Sequence, residues 1–273
     1  HKFVVEKTDF WHPVGYPHDI EAAENFLASR SVVTATQETE STKKMLMTQV
    51  VILAGGKGTR LPEGEQDKPK CLVEIAGKPI LQHQLELLEK QGFKNIRIGL
   101  GYKAEMVAAW LQSHGYGQIK TLIEPEPLGT GGGLKFASQG LTEPFLALFG
   151  DILADFNFRA VIRASASGKY RVLAGVQVAD VTGLGVIECD EMMRICAFKE
   201  KQLSGVPGII NANASMLHPA DFKDMPDKFS IEHDLYPKLA SAGKLVIHRH
   251  MGNYWFNCGT DETLKAARDH FAK

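Results

Sequence analysis

QVVILAGGKGTRLPEGEQDKPK, residues 49–70, decides how this chain is to be read. Its opening run, Val50-Val51-Ile52-Leu53, is too short for a helix and rich in β-branched residues, the composition of a buried strand. Gly55, Gly56 and Gly58 follow at once. Glycines there let the backbone turn tightly, reach positive φ and keep side chains out of a ligand's way. Backbone N–H groups in such a loop can cradle phosphate oxygens, and Lys57, Arg60, Lys68 and Lys70 add positive charge beside it. No Gly-Lys-Ser/Thr follows, so the loop is not a Walker P-loop, and the Gly-x-Gly-x-x-Gly spacing of a dinucleotide site is missing. The plain alternative is a glycine-rich strand-to-loop turn without a ligand.

Working outward, strands and helices alternate. A short strand and turn cover residues 73–79, and a helix follows with Leu81, Leu85 and Leu88 on one face, ending near Gly92. Strands are predicted at 96–100, 119–123 and 145–149, with helices over 104–111 and around 134–137 between them. That alternation indicates a doubly wound, mostly parallel α/β sheet of Rossmann-like type, whose ligands sit outside the carboxyl ends of the strands. The Gly55 loop, Glu124-Pro125-Glu126-Pro127 and Gly150-Asp151 all fall at such ends. The second half is richer in strands, predicted at 172–178, 185–189, 195–199, 209–217 and 244–248, with a helix over 235–242 and a closing helix from near Thr260.

Composition narrows the function classes. At 273 residues with 44% apolar and 23% charged residues, the chain has the make-up of an ordinary globular protein. A net charge of −1 advertises neither nucleic acid nor membrane as partner, and no apolar run approaches bilayer length. The four cysteines, 71, 189, 196 and 258, lack Cys-x-x-Cys spacing, which argues against a zinc site and for reduced thiols in a cytoplasmic protein. His248 and His250 alternate in a predicted strand and are expected on its exposed face.

The strand, the glycines, Thr59-Arg60 and the downstream Pro69-Lys70 together resemble the signature of the sugar-1-phosphate nucleotidylyltransferases, and later segments resemble that family in order over residues 48–273. The resemblance implies that Leu53, Ala54, Gly55, Gly56, Gly58, Thr59 and Gly150 contact a nucleotide, that Arg60 holds the leaving pyrophosphate and that Lys70 holds the α-phosphate. Gly129-Thr130-Gly131 matches the segment that packs on the nucleobase. A loop opening a helix, as here, also has free amides for an anion or a base edge. Gly150-Asp151 ends an apolar strand. An acid there is often only a helix N-cap, but it matches the family's metal-binding pair, which implies a Mg²⁺ cofactor on Asp151. Gly185, Glu200, Lys201 and Asn211 match the sugar-phosphate side. Ser230 with His233 is expected to cap a helix.

Two positions depart from the family pattern. Asn257 stands where the second metal ligand is usually Asp, and Asn213 where Gly is common. The resemblance implies transfer from an NTP, GTP favoured, to a sugar 1-phosphate of manno- or heptose type. UTP or CTP in place of GTP, or a non-catalytic sugar-nucleotide-binding subunit, are the alternatives. No nucleic acid or membrane partner is implied, whereas a homo-oligomer is compatible with the sequence.

The first residues repeat the last. Trp11 and Gly15 align without a gap on Trp255 and Gly259, and Ile20, Ala23 and Leu27 fall on Leu264, Ala267 and Phe271 in the same helical phase. Residues 1–30 are therefore read as a tail resembling the C-terminal end of a second, tandem nucleotidyltransferase copy. Pro13 occupies its metal position, so that tail is assigned no catalysis. Residues 31–47, rich in Ser, Thr, Gln and Glu, read as a linker.

Overall fold

A computed structural model describes residues 45–62, 64–199 and 204–272. The tail over 1–30 and most of the linker lie outside the described residues, as do Glu200 and Lys201.

The first strand, β1 (Gln49–Ala54), runs through the middle of a nine-stranded sheet. Val50, Val51 and Ile52 are fully buried, as the uninterrupted apolar run requires of a strand covered on both faces. After it come the hairpin β2 (Glu74–Ile75) and β3 (Lys78–Pro79), helix α1 (Ile80–Lys90), β4 (Ile96–Leu100), helix α2 (Ala104–Ser113), β5 (Lys120–Ile123), helix α3 (Gly129–Ala137) and β6 (Phe145–Phe149). β1 pairs in parallel with β4 and β6, and β4 with β5. Pro79 precedes α1, whose buried face is Ile80, Leu81, Gln84, Leu85 and Leu88. Gly92, at φ 89°, stops the helix in the left-handed region that glycine adopts at least cost.

The remainder is β7 (Ile152–Ala154), α4 (Phe158–Ala164), β8 (Arg171–Val178), β9 (Val186–Cys189), β10 (Ile195–Lys199), β11 (Gly208–Leu217), α5 (Tyr236–Ser241), β12 (Leu245–Arg249), β13 (Trp255–Asn257) and α6 (Asp261–Phe271). The sheet order is β10-β9-β11-β6-β1-β4-β5, with β8 also on β11 and β12 on β8. β11 joins the halves: it lies antiparallel to β6 through Ala214–Leu217 and to β8 along most of its length. Its register shifts between Asn211 and Ser215, where Asn213 sits at φ 60°. Asn is among the few non-glycine residues that visit this region readily, so the bend tolerates Asn where the family commonly has Gly. β7 and β13 make a separate antiparallel ribbon that no periodicity announced. Thr260 caps α6 by accepting from the Thr263 N–H at 3.3 Å, where the closing helix was expected to begin.

Candidate active site

Four strand-end segments meet at the carboxyl ends of β1, β4, β5 and β6. The loop after β1 is folded back on itself: Leu61 N–H donates to Gly58 O at 3.0 Å, and the buried Leu61 side chain anchors the turn. Beyond it, Arg268 of α6 donates to Glu65 at 2.7 Å and to the Glu74 carbonyl, while Lys103 reaches the Asp67 carbonyl at 2.5 Å. The loop then enters a short 3-10 turn, Lys70–Leu72, which points Lys70 back toward the strand ends.

A cavity of about 250 Å³ opens there, lined by Leu53, Ala54, Gly56, Gly58, Thr59, Arg60, Lys70, Thr130, Gly150 and Asp151 among others. A neighbouring cavity of about 490 Å³ shares Leu53, Gly56 and Thr130 and adds Gly55, Gly129, Tyr102 and Glu124. Gly131 lies beneath, its N–H given to Phe229 O at 3.0 Å. Thus the residues expected from four separate windows of sequence are brought together.

Asp151 stands in the turn between β6 and β7, and no helix follows it, so it is not an N-cap. Gly150 N–H donates to Leu53 O and Asp151 O accepts from Cys258 N–H, each at 2.9 Å. The β7–β13 ribbon places Asn257 opposite Ile152, beside the acid. The Lys70 ammonium donates to Asp151 Oδ2, so cation and carboxylate neutralise each other at the cavity floor. A methyl group on Gly259 would stand 3.0 Å from both Lys70 Nζ and Asn257 Oδ1, which shows that both side chains crowd the same backbone.

Among the described residues no group of three or more His, Cys, Asp or Glu could hold a metal ion. Asp151 and Asn257 offer hard oxygens only, one charged and one neutral. That donor set suits Mg²⁺, which takes one or two protein oxygens and fills its shell with water and substrate phosphates. Cys71 and Cys258 flank the acid, and burial, reinforced by the Asp151 charge, pushes both thiols up to about 12. Neither is a thiolate near neutral pH, so neither is a nucleophile.

Glu124 was legible only as part of a strand-end segment. Its half-buried carboxylate lies against backbone: a methyl on Gly101 or Gly55 would come within 2.4 or 2.8 Å of Oε1. Oε2 accepts from Leu128 N–H at 3.4 Å. Burial raises the carboxyl above its ordinary range, with the Leu128 N–H opposing. Thr130, shared by both cavities, is held from behind. It donates to Glu232 Oε2 at 2.5 Å, and Ile231 N–H donates to its hydroxyl at 3.0 Å. Ser230 Oγ donates to the same Glu232 oxygen at 2.9 Å and accepts from His233 N–H at 3.2 Å. The expected Ser230 cap is present, at the head of a π-helical turn, Ile231–Leu235, a distortion frequent at functional sites.

The two described sugar-side candidates, Gly185 and Asn211, are not among the lining of these cavities. Gly185 is exposed just before β9, and Asn211 on β11 turns its Oδ1 to its own backbone, accepting from Asn213 N–H at 2.8 Å. One expectation is overturned: His248 and His250 are not on an exposed face. His248 is partly buried, which lowers its pKa, with His250 contributing; the His250 ring, only 4% exposed, pairs with Asp155 at 3.2 Å. Asp155 also holds the 253–254 turn that leads into β13, so the second His serves the ribbon rather than solvent.

A profile of the nucleotidyl transferase family matches residues 49–273, and the chain belongs to that family. Within it, the chain is 34% identical over 220 residues to D-glycero-alpha-D-manno-heptose 1-phosphate guanylyltransferase of Campylobacter jejuni, covering 78% of this chain and 96% of that one. Identity is also 34% over 220 residues to the mannose-1-phosphate guanylyltransferase catalytic subunit beta of Drosophila melanogaster, over 78% of this chain. The match spans only 59% of that relative's length. Among solved structures, HddC from Yersinia pseudotuberculosis complexed with GMP-PN superposes with a TM-score of 0.73 at 34% identity, covering 82% of this chain and all of that one. A putative glucose-1-phosphate thymidylyltransferase from Bacillus anthracis, at 18% identity and TM-score 0.72, shares the fold. Among the described residues no helix is long and apolar enough to cross a membrane.

Proposed function

We propose that this chain transfers a nucleotidyl group from GTP to a sugar 1-phosphate of manno- or heptose type, giving an NDP-sugar and pyrophosphate. The observation that carries the proposal is the meeting of a glycine loop, Arg60, Lys70 and Asp151 in one cavity. A sugar-phosphate oxygen attacks the α-phosphorus in line, the bond to the bridging oxygen breaks, and pyrophosphate leaves. Arg60 receives the leaving charge. Lys70 exchanges Asp151 for the α-phosphate when nucleotide enters. Asp151 and Asn257 would hold Mg²⁺, which when bound offsets charge on the phosphates. No protein nucleophile is required, in keeping with the two protonated thiols at the site.

Glu124 favours GTP over UTP or CTP. Guanine alone presents two adjacent donors, N1–H and the 2-amino group, that a carboxylate can accept together. The names of the guanylyltransferase relatives point the same way. Free cysteines fit a cytoplasmic setting. The neutral Asn257 favours one other reading, a sugar-nucleotide-binding subunit without turnover. Pyrophosphate release across a panel of NTPs and sugar 1-phosphates separates them. Release with GTP and a manno-type phosphate supports transfer. Binding of GDP-sugar without release from any pair supports the subunit.

A further inference from the structure

Gln84 is an unusual occupant of the buried face of α1. It is 7% exposed, among Ile80, Leu81, Leu85 and Leu88. Its Nε2 donates to Phe149 O at 2.7 Å and to Ile152 O at 2.6 Å, so both amide hydrogens are used. Its Oε1 is buried with no partner among the described residues. A leucine or methionine would pack in that stripe without stranding an amide oxygen but would take the donor from both carbonyls, so the amide is there for the Phe149 and Ile152 carbonyls.

The two carbonyls it joins bracket Gly150-Asp151. The inner groups of that dipeptide are held by backbone, Gly150 N–H on Leu53 O and Cys258 N–H on Asp151 O. The outer pair is held by one side chain. Strand β6 ends at Phe149 and β7 begins at Ile152, so the ladders do not set the angle between them. The Gln84 amide ties the two strand ends together across the dipeptide that carries Asp151.

We infer that Gln84 is the positioning residue for Asp151, aiming its carboxylate at the cation; the inference rests on the proposal that Asp151 is a metal ligand. The residue that caps the end of the same helix supplies a matched control. Gln91 also clamps backbone with its side-chain amide, donating to Phe156 O at 2.6 Å and accepting from Phe158 N–H at 3.0 Å, beyond the far end of β7. Its role is to hold chain, with no carboxylate between its partners.

The test is Mn²⁺ binding to the full chain with saturating GTP, read by electron paramagnetic resonance, for Gln84→Met, Gln91→Met and Asp151→Asn. Loss of a residue that orients a metal ligand typically weakens metal binding about 10- to 100-fold. Gln84→Met should fall in that range and raise the Mg²⁺ needed for half-maximal turnover, leaving the KM for sugar phosphate unchanged. Gln91→Met should lose thermal stability but keep wild-type Mn²⁺ affinity. If Gln84→Met binds Mn²⁺ as Gln91→Met does while Asp151→Asn is impaired, the inference fails and the metal assignment stands. If Asp151→Asn binds Mn²⁺ normally, the assignment fails and takes the inference with it. Should Gln84→Met not fold, Gln84→Glu decides: its protonated acid can serve one carbonyl and its carboxylate none. Mn²⁺ affinity of that variant should then fall as pH rises through the new carboxyl's pKa, whereas a carboxylate site such as wild type holds or gains affinity as pH rises, and a wild-type pH profile in the variant overturns the inference.

Discussion

On the β4–β1–β6 side of the sheet, the candidate groups reach the cavity from loops at strand ends, where backbone N–H groups and side chains have no ladder to satisfy. On the β11–β8 side the described candidates are Asn211, a rung of the long antiparallel strand β11, and Gly185, just before β9. Asn211 pairs with Gly175 through its backbone and with Asn213 N–H through its side chain. The first arrangement keeps polar groups poised for a ligand; the second spends them on the sheet. The proposed function places the transfer chemistry on the strand-end side. Substitutions on the two sides should accordingly differ in size and in the parameter they move.

The largest expected effect after Asp151 itself is at Lys70. Removing one contact to the transferring group typically costs on the order of 10²-fold or more in rate. Lys70→Met should lower kcat by that amount with folding intact. It should also unmask Asp151, whose Oδ2 now receives the ammonium. Mn²⁺ should bind the free variant more tightly than free wild type. Equal metal affinity in the two would show that the pair does not guard the carboxylate.

Glu124→Gln should be next. A pair of charge-assisted hydrogen bonds to a base is worth about 1.5–3 kcal/mol, or roughly 10- to 100-fold in kcat/KM for GTP. UTP turnover should change little, so the nucleotide preference narrows. The raised carboxyl adds a pH test. Above its pKa Glu124 is an acceptor only. As pH falls through that raised value it gains a proton, and GTP affinity should drop at a higher pH than an ordinary carboxylate would dictate. Glu124→Gln should abolish this dependence; a variant that keeps it places the titrating group elsewhere.

Glu232→Gln should be milder. Glu232 does not itself line the cavities; it supports Thr130, which does, and Ser230. A several-fold rise in the KM for GTP, with kcat nearly unchanged, is expected from steady-state kinetics. A change in the KM for sugar phosphate alone would move Glu232 to the other side of the comparison.

Most of the strand-end side was legible in the sequence because its features are local. An apolar run followed by glycines, or an apolar run followed by Gly150-Asp151, announces a strand and its end within ten or so residues. What escaped depends on contacts across the chain. The β7–β13 ribbon is built from two three-residue strands, too short for any period, yet it sets Asn257 beside Asp151. Gln84 looked like one polar position in a helix whose leucines carried the pattern. Glu124 read as a strand end because nothing local shows that Gly55 and Gly101 make room for its carboxylate. His250 was misplaced for the same reason, since alternation cannot reveal that Asp155 waits across the fold.

The measurement closest to the central claim is a Mg²⁺ titration of GTP-dependent pyrophosphate release for wild type, Asp151→Asn and Asn257→Asp. With one charged and one neutral oxygen, wild type should need more Mg²⁺ for half-maximal rate than Asn257→Asp, which adds a negative ligand. Asp151→Asn should lose at least about 10²-fold in rate at every Mg²⁺ concentration. If Asp151→Asn instead titrates like wild type, the strand-end cavity is not where the transfer takes place.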